Sequence, residues 1–189
     1  MPENKVKFGL RNVHYSKITE SNGEITYGIP TAIKGAVELT LEPRGDMIEF
    51  YADDMLYYSA QNNQGYDGTL NIALIPQEFA TDCLGETKND DDVITESANS
   101  KGSPFALMFE FDGDQKATRH VLYNCTANRP TVTGETKNDS PEPQTDELTF
   151  VASARQGDYL VKAKTTGETG SEVYEGWYDE VYEEVEEIE

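Results

Sequence analysis

Apolar and polar side chains alternate over much of this chain, which is the pattern of β-strands that bury one face. The first clear run covers residues 37–41, where Val and Leu alternate with Glu and Thr. The alternation returns over 48–60, interrupted by a turn at Asp53-Asp54, and again over 69–74. We therefore predict that the first half of the chain forms an antiparallel meander.

Four further runs alternate in the second half of the chain, at 105–111, 121–125, 148–154 and 159–163. In the second of these runs, the alternation places Val121, Tyr123 and Cys125 on one face of a strand. The chain as a whole is thus predicted to be mainly β and antiparallel.

One segment, at about residues 76–84, has helical periodicity. Phe79 and Cys83 lie four positions apart, which places both on one face of a helix, and Gly85 suits the position after the last turn. Residues 86–102 then lose all periodicity, so we predict a long loop or a mobile hairpin there. The expected fold has one short flanking helix, long loops and extended termini.

The charge balance narrows the classes of partner. The chain has 189 residues, with 15 basic and 36 acidic side chains that give a net charge of −21. A surface with this average charge repels phosphate, which argues against sequence-specific binding of DNA or RNA. No segment approaches the roughly 18 apolar residues of a membrane span, and the first residues lack a signal-peptide pattern. We therefore expect no membrane partner, and either a cytosol-like compartment or export only as part of a particle.

Charge is also distributed unevenly along the chain. The densest basic cluster lies in the first 17 residues, whereas eight of the last 15 residues are acidic. This indicates head-to-tail contact between copies, although two solvated tails of opposite charge explain the same composition. At the acidic end, Trp177, Val181, Val185 and Ile188 can share a helical face, which we expect a neighbouring chain to order. The candidate interface residues are Lys5, Lys7, Arg11, Lys17, Asp90, Asp91, Asp92, Trp177 and Val181.

Residues with catalytic or metal-binding chemistry are sparse. The two histidines, His14 and His120, lie in no nucleophile or metal motif, and the chain has no GxSxG, P-loop or HExxH sequence. The acidic run at 90–92 lacks the spaced ligands of a calcium loop, so solvated turn carboxylates are the better interpretation. Cys83 and Cys125 are interpreted as buried free thiols. We expect no enzyme activity, no catalytic residue, no metal site and no cofactor.

The hexapeptide GETKND occurs twice, at residues 85–90 and 134–139. One interpretation is a duplicated β-unit in which both copies form equivalent turns. The alternative is convergent loop composition, because Gly, Asn and Asp are common in turns.

Several stretches resemble the major tail protein family of bacteriophages with long, non-contractile tails. One is IKGAVELTLEPRGDMIEFYADDMLYYSAQNNQGYDGTLNIALIPQEFATDCLG at 33–85, and the most recognisable is TRHVLYNCTANRPTVTGETKNDSPEPQTDELTF at 118–150. The stretch GWYDEVYEEV at 176–185 is similar to the end of the family. The resemblance covers roughly residues 5–185 and departs from the family at 86–101 and in the extreme acidic tail.

The resemblance implies a structural virion protein. Members of this family have a β-sandwich or β-barrel-like domain flanked by a helix, form hexameric rings, and stack them into a hollow tail tube around a tape-measure protein. The implied partners are further copies of the chain, the tape-measure protein, tail completion or terminator proteins, distal tail proteins, and phage DNA that crosses the lumen without specific binding. The implied location is the virion tail, and the host cytoplasm during assembly.

On this basis the chain divides into an N-terminal arm at 1–30, a tail-tube β-domain at 31–165 and an acidic C-terminal segment at 166–189. The basic N-terminal residues would clamp onto an acidic surface of an adjacent subunit, so tubes would shorten as salt rises. The alternative functions are a related injection-machine tube subunit and a tail-surface binding module. Smooth tubes, as opposed to stable monomers or trimers, would distinguish a tube subunit from a binding module.

Overall fold

The computed structural model describes residues 4–21, 23–136 and 143–184. Its strands are β1 (Lys7–Ser21), β2 (Glu24–Tyr27), β3 (Thr31–Ala32), β4 (Ala36–Pro43), β5 (Ile48–Ala52), β6 (Met55–Ala60), β7 (Tyr66–Ile72), β8 (Thr87–Lys88), β9 (Ile94–Thr95), β10 (Phe105–Gly113), β11 (Thr118–Ala127), β12 (Asp146–Ser153) and β13 (Lys162–Lys164). The helices are α1 (Gln77–Cys83) and α2 (Ser171–Glu175), and a 3₁₀ turn follows at Gly176–Tyr178. The prediction of a mainly β fold is confirmed.

Nine strands form one sheet with the order β2-β1-β10-β11-β12-β7-β4, while β3 and β13 pair with β1 and β11 outside this path. Strands near both ends of this order, β1 and β4, contribute side chains to the same core, so the sheet curves around that core. Inside it, neighbouring rings in the series Tyr15, Phe79, Phe105 and Phe150 meet edge to face, with centroids 5.0, 5.2 and 6.3 Å apart. Aromatic rings favour this arrangement because the positive edge of one meets the negative face of the next.

The helix α1 packs on this core, as its sequence predicted. Its buried residues are Phe79, Ala80 and Cys83. Gly85 follows the helix with φ +79°, and a β-carbon there would lie 2.5 Å from the backbone oxygen of Lys101. Glycine is therefore required where the chain leaves the helix.

The expectation of an N-terminal arm at 1–30 is corrected for the described residues 7–21, which form a strand of the sheet. β1 is 15 residues long and lies within the sheet, between β2 and β10. Val13 and Tyr15 on this strand are buried in the core. The strand is difficult to recognise in the sequence, because two irregularities interrupt its register with β10 before His14. In addition, Asn12 has a left-handed φ of +49°. Such bulges break the two-residue period by which strands are recognised.

The predicted meander is wrong at β5 and β6, which pair with each other as a separate hairpin. β4 pairs directly with β7, with Leu39 opposite Leu70. Gly45 allows the backbones to approach at the base of the hairpin, since a β-carbon there would lie 1.9 Å from the Asn62 backbone oxygen. Gly65 allows a similar approach to Ala152 on β12. Alternation identifies strands but not which strands pair, so the sequence pattern is compatible with both arrangements.

A second apolar cluster contains Ala106, Met108, Val121, Tyr123, Trp177 and Val181. The prediction that Cys125 shares a face with Val121 and Tyr123 is wrong, because β11 has one extra residue relative to β10 between Leu122 and Cys125. This bulge turns Cys125 into the first core. Cys83 and Cys125 are free and buried, as predicted.

The stretch 86–102 contains a short hairpin, which is one of the two structures predicted for it. Its strands β8 and β9 have two residues each. It includes most of the first GETKND copy, whereas the second copy lies partly outside the described residues. At the C-terminus, regular helix ends after the 3₁₀ turn, so Trp177 and Val181 do not share one continuous helix. Val185 and Ile188 lie outside the described residues.

Candidate self-association surfaces

The largest concentration of exposed apolar side chains lies on the β5–β6 hairpin, by which we mean residues 46–61. The hairpin has eight of the 17 large hydrophobic side chains that are exposed in the described chain. They are Met47, Ile48, Phe50, Tyr51, Met55, Leu56, Tyr57 and Tyr58, and each is between 47% and 70% exposed. Single exposed apolar side chains are normal in proteins, but a contiguous patch of them marks an interaction surface.

The hairpin stands apart from the sheet because the sheet closes at its base. There the Arg44 amide donates to the Gly65 carbonyl (2.9 Å) and the Gln64 amide donates to the Arg44 carbonyl (3.1 Å). At the tip, Asp53 and Asp54 have φ of +51° and +55°. Two left-handed residues in succession form the type of tight turn whose twist matches paired strands. The turn predicted at these two residues is therefore confirmed.

The exposed area of the hairpin is large enough for a stable interface. Aromatic side chains offer about 150–250 Å² each, and the aliphatic ones lie near the lower end of this range. A little over half of the area is accessible on these eight residues. Their combined area is on the order of 900 Å², compared with roughly 800 Å² per partner in a typical stable complex. At about 25 cal/mol per Å², burying it is worth on the order of 20 kcal/mol before the costs of association.

The charges of the hairpin restrict its partner. Asp46, Glu49, Asp53 and Asp54 are acidic, and residues 46–63 contain no Lys or Arg. These carboxylates disfavour an anionic lipid surface, which recruits basic segments. They also disfavour a symmetric contact between two hairpins, because like charges would face each other. The hairpin is therefore suited to a protein surface other than itself.

Two of the four basic candidates are already paired within the chain. Arg11 lies 2.6 Å from an Asp112 oxygen, and Lys17 lies 3.4 Å from an Asp82 oxygen. Neither ion pair can be recognised in the sequence, because the partners are distant along the chain. Arg11 and Lys17 remain partly exposed, so their role in an interface stays a prediction.

The other two basic candidates lie at the start of the sheet. The Lys7 ammonium lies 4.8 Å from the centroid of the Phe111 ring. The backbone amide of Lys5 donates to Asp114 at 2.8 Å, and this hydrogen bond lowers the pKa of that carboxyl. Neither Lys5 nor Lys7 has an ion-pair partner among the described residues.

The acidic candidates Asp90, Asp91 and Asp92 lie in the turn between β8 and β9, and all three are exposed. Lys88 pairs with Asp92 at 2.7 Å, and the Asn89 side-chain oxygen accepts a hydrogen bond from the Asp91 amide at 3.0 Å. These contacts organise the turn from within. No group of three or more His, Cys, Asp or Glu in the described ranges is placed to hold a metal ion.

Trp177 and Val181 are buried, which corrects their assignment as interface candidates. They are 3% and 6% exposed and belong to the second apolar cluster. Trp177 also stacks on Tyr182 with ring centroids 5.4 Å apart. The C-terminal segment, by which we mean residues 170–184, thus packs on the sheet of its own chain.

A buried ion pair fixes this C-terminal segment. Arg119 Nε lies 3.1 Å from Glu110 Oε2, and the two side chains are 17% and 7% exposed. The Arg119 guanidinium donates to the Tyr174 carbonyl and lies over the Tyr174 ring, 3.9 Å from its centroid. The Tyr178 hydroxyl donates to Glu110 at 3.4 Å, and burial followed by the Glu110 charge raises the pKa of Tyr178. These contacts tie α2 and the 3₁₀ turn to β10 and β11.

The sheet has two open edges. β4 ends the strand order on one side and β2 ends it on the other. Neither has a hydrogen-bonded strand on its outer side within the described chain, although β4 lies near β1. Open strands can pair with strands of another chain through their free backbone groups. They are second candidates for self-association.

Each of the two histidines contacts other residues of its own chain. His120 stacks on Phe109 with ring centroids 5.0 Å apart and meets Phe111 edge to face at 5.5 Å. Burial, followed by three neighbouring lysines, lowers the pKa of His120 to about 4, so the ring is neutral at pH 7. His14 Nδ1 lies 2.8 Å from the Asn12 carbonyl oxygen.

A signal in the sequence could have identified the hairpin surface. Residues 55–58 read Met-Leu-Tyr-Tyr, four large side chains with no small or charged residue among them. Neighbours along a strand point to opposite faces, so this run places apolar side chains on both faces of one strand. Such a strand, next to the turn at Asp53-Asp54, does not fit a half-buried meander.

Comparisons with protein-family models and with curated proteins find no match. Among solved structures, the chain is similar to the cap of the anti-feeding prophage, described as its tube-terminating cap. The TM-score is 0.44 at 12% sequence identity, and the match covers 87% of this chain and 96% of that chain. A likeness of this size assigns neither a family nor a function. No described helix is long and apolar enough to cross a membrane.

Proposed function

We propose that this protein is a structural subunit that binds further copies of itself and builds the hollow tube of a phage tail from stacked hexameric rings. The observation that carries the proposal is the β5–β6 hairpin, which leaves on the order of 900 Å² of apolar surface uncovered in the single chain. The resemblance of residues 33–85 and 118–150 to phage major tail proteins supplies the class of assembly. The role is structural, without an enzymatic step or a cofactor.

The contact between copies is heterologous, with the hairpin of one copy on a different surface of the next. A symmetric contact would oppose the acidic residues of two hairpins, which are Asp46, Glu49, Asp53 and Asp54. Heterologous contacts generate closed rings or open helical assemblies, and both geometries build tubes. The open edges of β2 and β4 supply a second heterologous contact, since one edge of a copy can pair with the other edge of its neighbour.

The net charge suits a channel for DNA. Each copy carries −21, so a ring of six copies carries about −126, and a lumen of that sign repels phosphate and lets a duplex slide. In this role the further partners are the tape-measure protein and the terminator and distal proteins of the tail. The protein is then a component of the virion tail that assembles in the host cytoplasm.

Assembly of the full-length protein tests this function. Phe50→Ser with Tyr58→Ser removes two exposed rings without touching either core, and Tyr159→Ser, at a position 79% exposed outside the hairpin, is the matched control. We expect rings or tubes from the wild type and the control in negative-stain electron microscopy. The double variant should remain monomeric in sedimentation, with an unchanged circular dichroism spectrum.

A wild-type protein that stays monomeric or trimeric at high concentration would contradict the proposal and favour a tail-surface binding module. A related injection-machine tube subunit would assemble in the same way and differ in its partners. Tubes from the double variant would show that the hairpin is not the contact.

A further inference from the structure

We propose that each β5–β6 hairpin is held between two neighbouring copies of the chain, with one copy against each of its faces. This inference rests on the proposed self-assembly and adds the number of copies that one hairpin joins. Its basis is the distribution of apolar side chains over both faces of the hairpin.

The strand register assigns the side chains of the first face. Residues that pair across antiparallel strands point to the same face, and neighbours along a strand point to opposite faces. Ile48 pairs with Ala60 and Phe50 pairs with Tyr58, so these four residues share one face. Tyr57, at the register shift, packs beside Phe50 with ring centroids 6.4 Å apart. This face is apolar or aromatic from base to tip.

The second face has the pairs Glu49 with Ser59 and Tyr51 with Leu56. The Tyr51 hydroxyl donates to Glu49 Oε2 at 2.8 Å, which agrees with both residues pointing to this face. Tyr51 and Leu56 are exposed. The half of this face nearest the tip is therefore apolar as well.

The β8–β9 hairpin offers a comparison, because its composition is polar. β8 and β9 consist of Thr87, Lys88, Ile94 and Thr95, and the turn between them is acidic. Antiparallel strands covered on one side have one apolar and one polar face. The β5–β6 hairpin differs from both cases, because apolar side chains lie on each face and each face therefore needs a cover.

The size of the hairpin indicates two covering copies and not one. Its shorter strand has five residues, and with about 3.4 Å per residue, about 10 Å across the pair and about 10 Å between packed faces it occupies on the order of 1,700 Å³. Apolar grooves beside α1 and beside the C-terminal segment of the described chain contain about 820 and 690 Å³ of empty space, which is less than half of this volume in each case. Either groove can receive a few side chains, but neither can enclose the hairpin. Two neighbouring copies together can form a groove that is wide enough for the hairpin.

Photocrosslinking in the assembled full-length protein tests the arrangement. A benzophenone amino acid replaces Tyr58 on the first face in one variant, Tyr51 on the second face in another, and both in a third. We expect both single variants to crosslink to another copy, at two different sets of peptides. The variant with both probes, assembled with an excess of wild-type protein so that its neighbours carry no probe, should give covalent trimers, which form only if the two crosslinked partners are different copies.

The outcomes separate this proposal from the proposed function. Crosslinks from Tyr58 alone, in protein that assembles, would overturn the two-neighbour arrangement and leave self-assembly intact. Crosslinks from both faces to one and the same copy would also overturn it. A wild-type protein that does not assemble would overturn the proposed function, and this inference with it.

Serine substitutions provide a second measurement, because the hairpin lies outside both cores and its variants should fold. Phe50→Ser with Tyr58→Ser alters the first face only, and Tyr51→Ser with Leu56→Ser alters the second face only. We expect each pair to raise the protein concentration needed for assembly roughly tenfold or more, with Tyr159→Ser unchanged. If the second-face pair assembles at the wild-type concentration, only one face is covered and the proposal fails.

Discussion

Replacing Arg119 by methionine should release the C-terminal segment from the sheet. The guanidinium contacts Glu110, the Tyr174 carbonyl and the Tyr174 ring, and its carbon lies 5.1 Å from the Tyr178 ring centroid. Methionine keeps part of the apolar stem and removes all of these polar contacts. Glu110 then stays buried, with the Asn12 amide (2.8 Å) and the Tyr178 hydroxyl (3.4 Å) as its remaining side-chain donors.

We expect Arg119→Met to lower the free energy of unfolding by about 3–5 kcal/mol, the usual effect of removing one partner of a buried ion pair. The two remaining donors to Glu110, each worth about 1 kcal/mol, place the expected loss near the lower end of this range. A loss of about 3 kcal/mol corresponds to a fall in Tm of roughly 6–12 °C for a chain of this size. Adding Glu110→Gln should recover about half of the loss or more, because no buried charge is then left unpaired.

The single tryptophan of the chain, Trp177, reports on the same segment. Unfolding by denaturant should be followed by tryptophan fluorescence and by circular dichroism, in the Phe50→Ser, Tyr58→Ser background that we expect to be monomeric. That background keeps stability independent of protein concentration. In Arg119→Met, exposure of Trp177 should precede loss of the β signal. Coincident transitions together with a loss below about 1 kcal/mol, the range of an exposed pair, would refute the assigned role of the ion pair.

Three further predictions concern pH, the β8–β9 hairpin and DNA. The pKa of His120 is lowered from 6.5 to about 4, so the unfolded chain takes up this proton first and stability falls as the pH drops through that window. His120→Gln should weaken this dependence in denaturant unfolding at several pH values. Replacing the turn at 89–92 by glycines should leave a folded monomer by circular dichroism that makes no tubes in electron microscopy; normal tubes would show that this hairpin is dispensable. Assembled protein should not bind duplex DNA in fluorescence anisotropy at physiological salt, because of its net charge of −21, and tight binding would contradict the proposed lumen.

Alternation in the sequence predicted the strands that have a single regular buried face. Residues 148–154 illustrate this, since Leu148, Phe150 and Ala152 are buried as their two-residue spacing indicated. The helix α1 was predictable for the same reason, because its buried residues recur with helical spacing. Strand pairing was not predictable, since it depends on contacts between residues far apart in the chain, such as Leu39 of β4 and Leu70 of β7.

The sequence indicates in part that another segment packs over the second apolar cluster. Residues 105–109 read Phe-Ala-Leu-Met-Phe, and a strand with such a continuous apolar run has both faces buried. The sequence does not state which segment covers the second face. The C-terminal segment does so because Arg119 on β11 meets Tyr174 across a long separation in the chain, and this contact has no local signature.

Salt dependence separates the two contacts that could hold copies together. Copies that each carry −21 repel one another, and added salt screens this repulsion over a Debye length of about 10 Å at 0.1 M. Burial of the apolar hairpin does not depend on attraction between charges, so an assembly held by the hairpin should strengthen as salt rises. An assembly held by basic N-terminal residues on an acidic neighbour should weaken instead, because each exposed pair is worth only about 0–1 kcal/mol and is screened.

The structure favours the hairpin as the main contact between copies. Arg11 and Lys17 already have acidic partners in their own chain, which leaves Lys5 and Lys7 as the basic candidates without an ion pair among the described residues. Two exposed charges per copy are a weak clamp beside on the order of 900 Å² of apolar surface. We therefore expect light scattering from the wild type to rise with salt, and Lys5→Glu with Lys7→Glu to assemble normally. Two results together would show that the N-terminal residues form the main contact. The tubes would dissolve as salt rises, and the charge-reversed variant would fail to assemble at low salt.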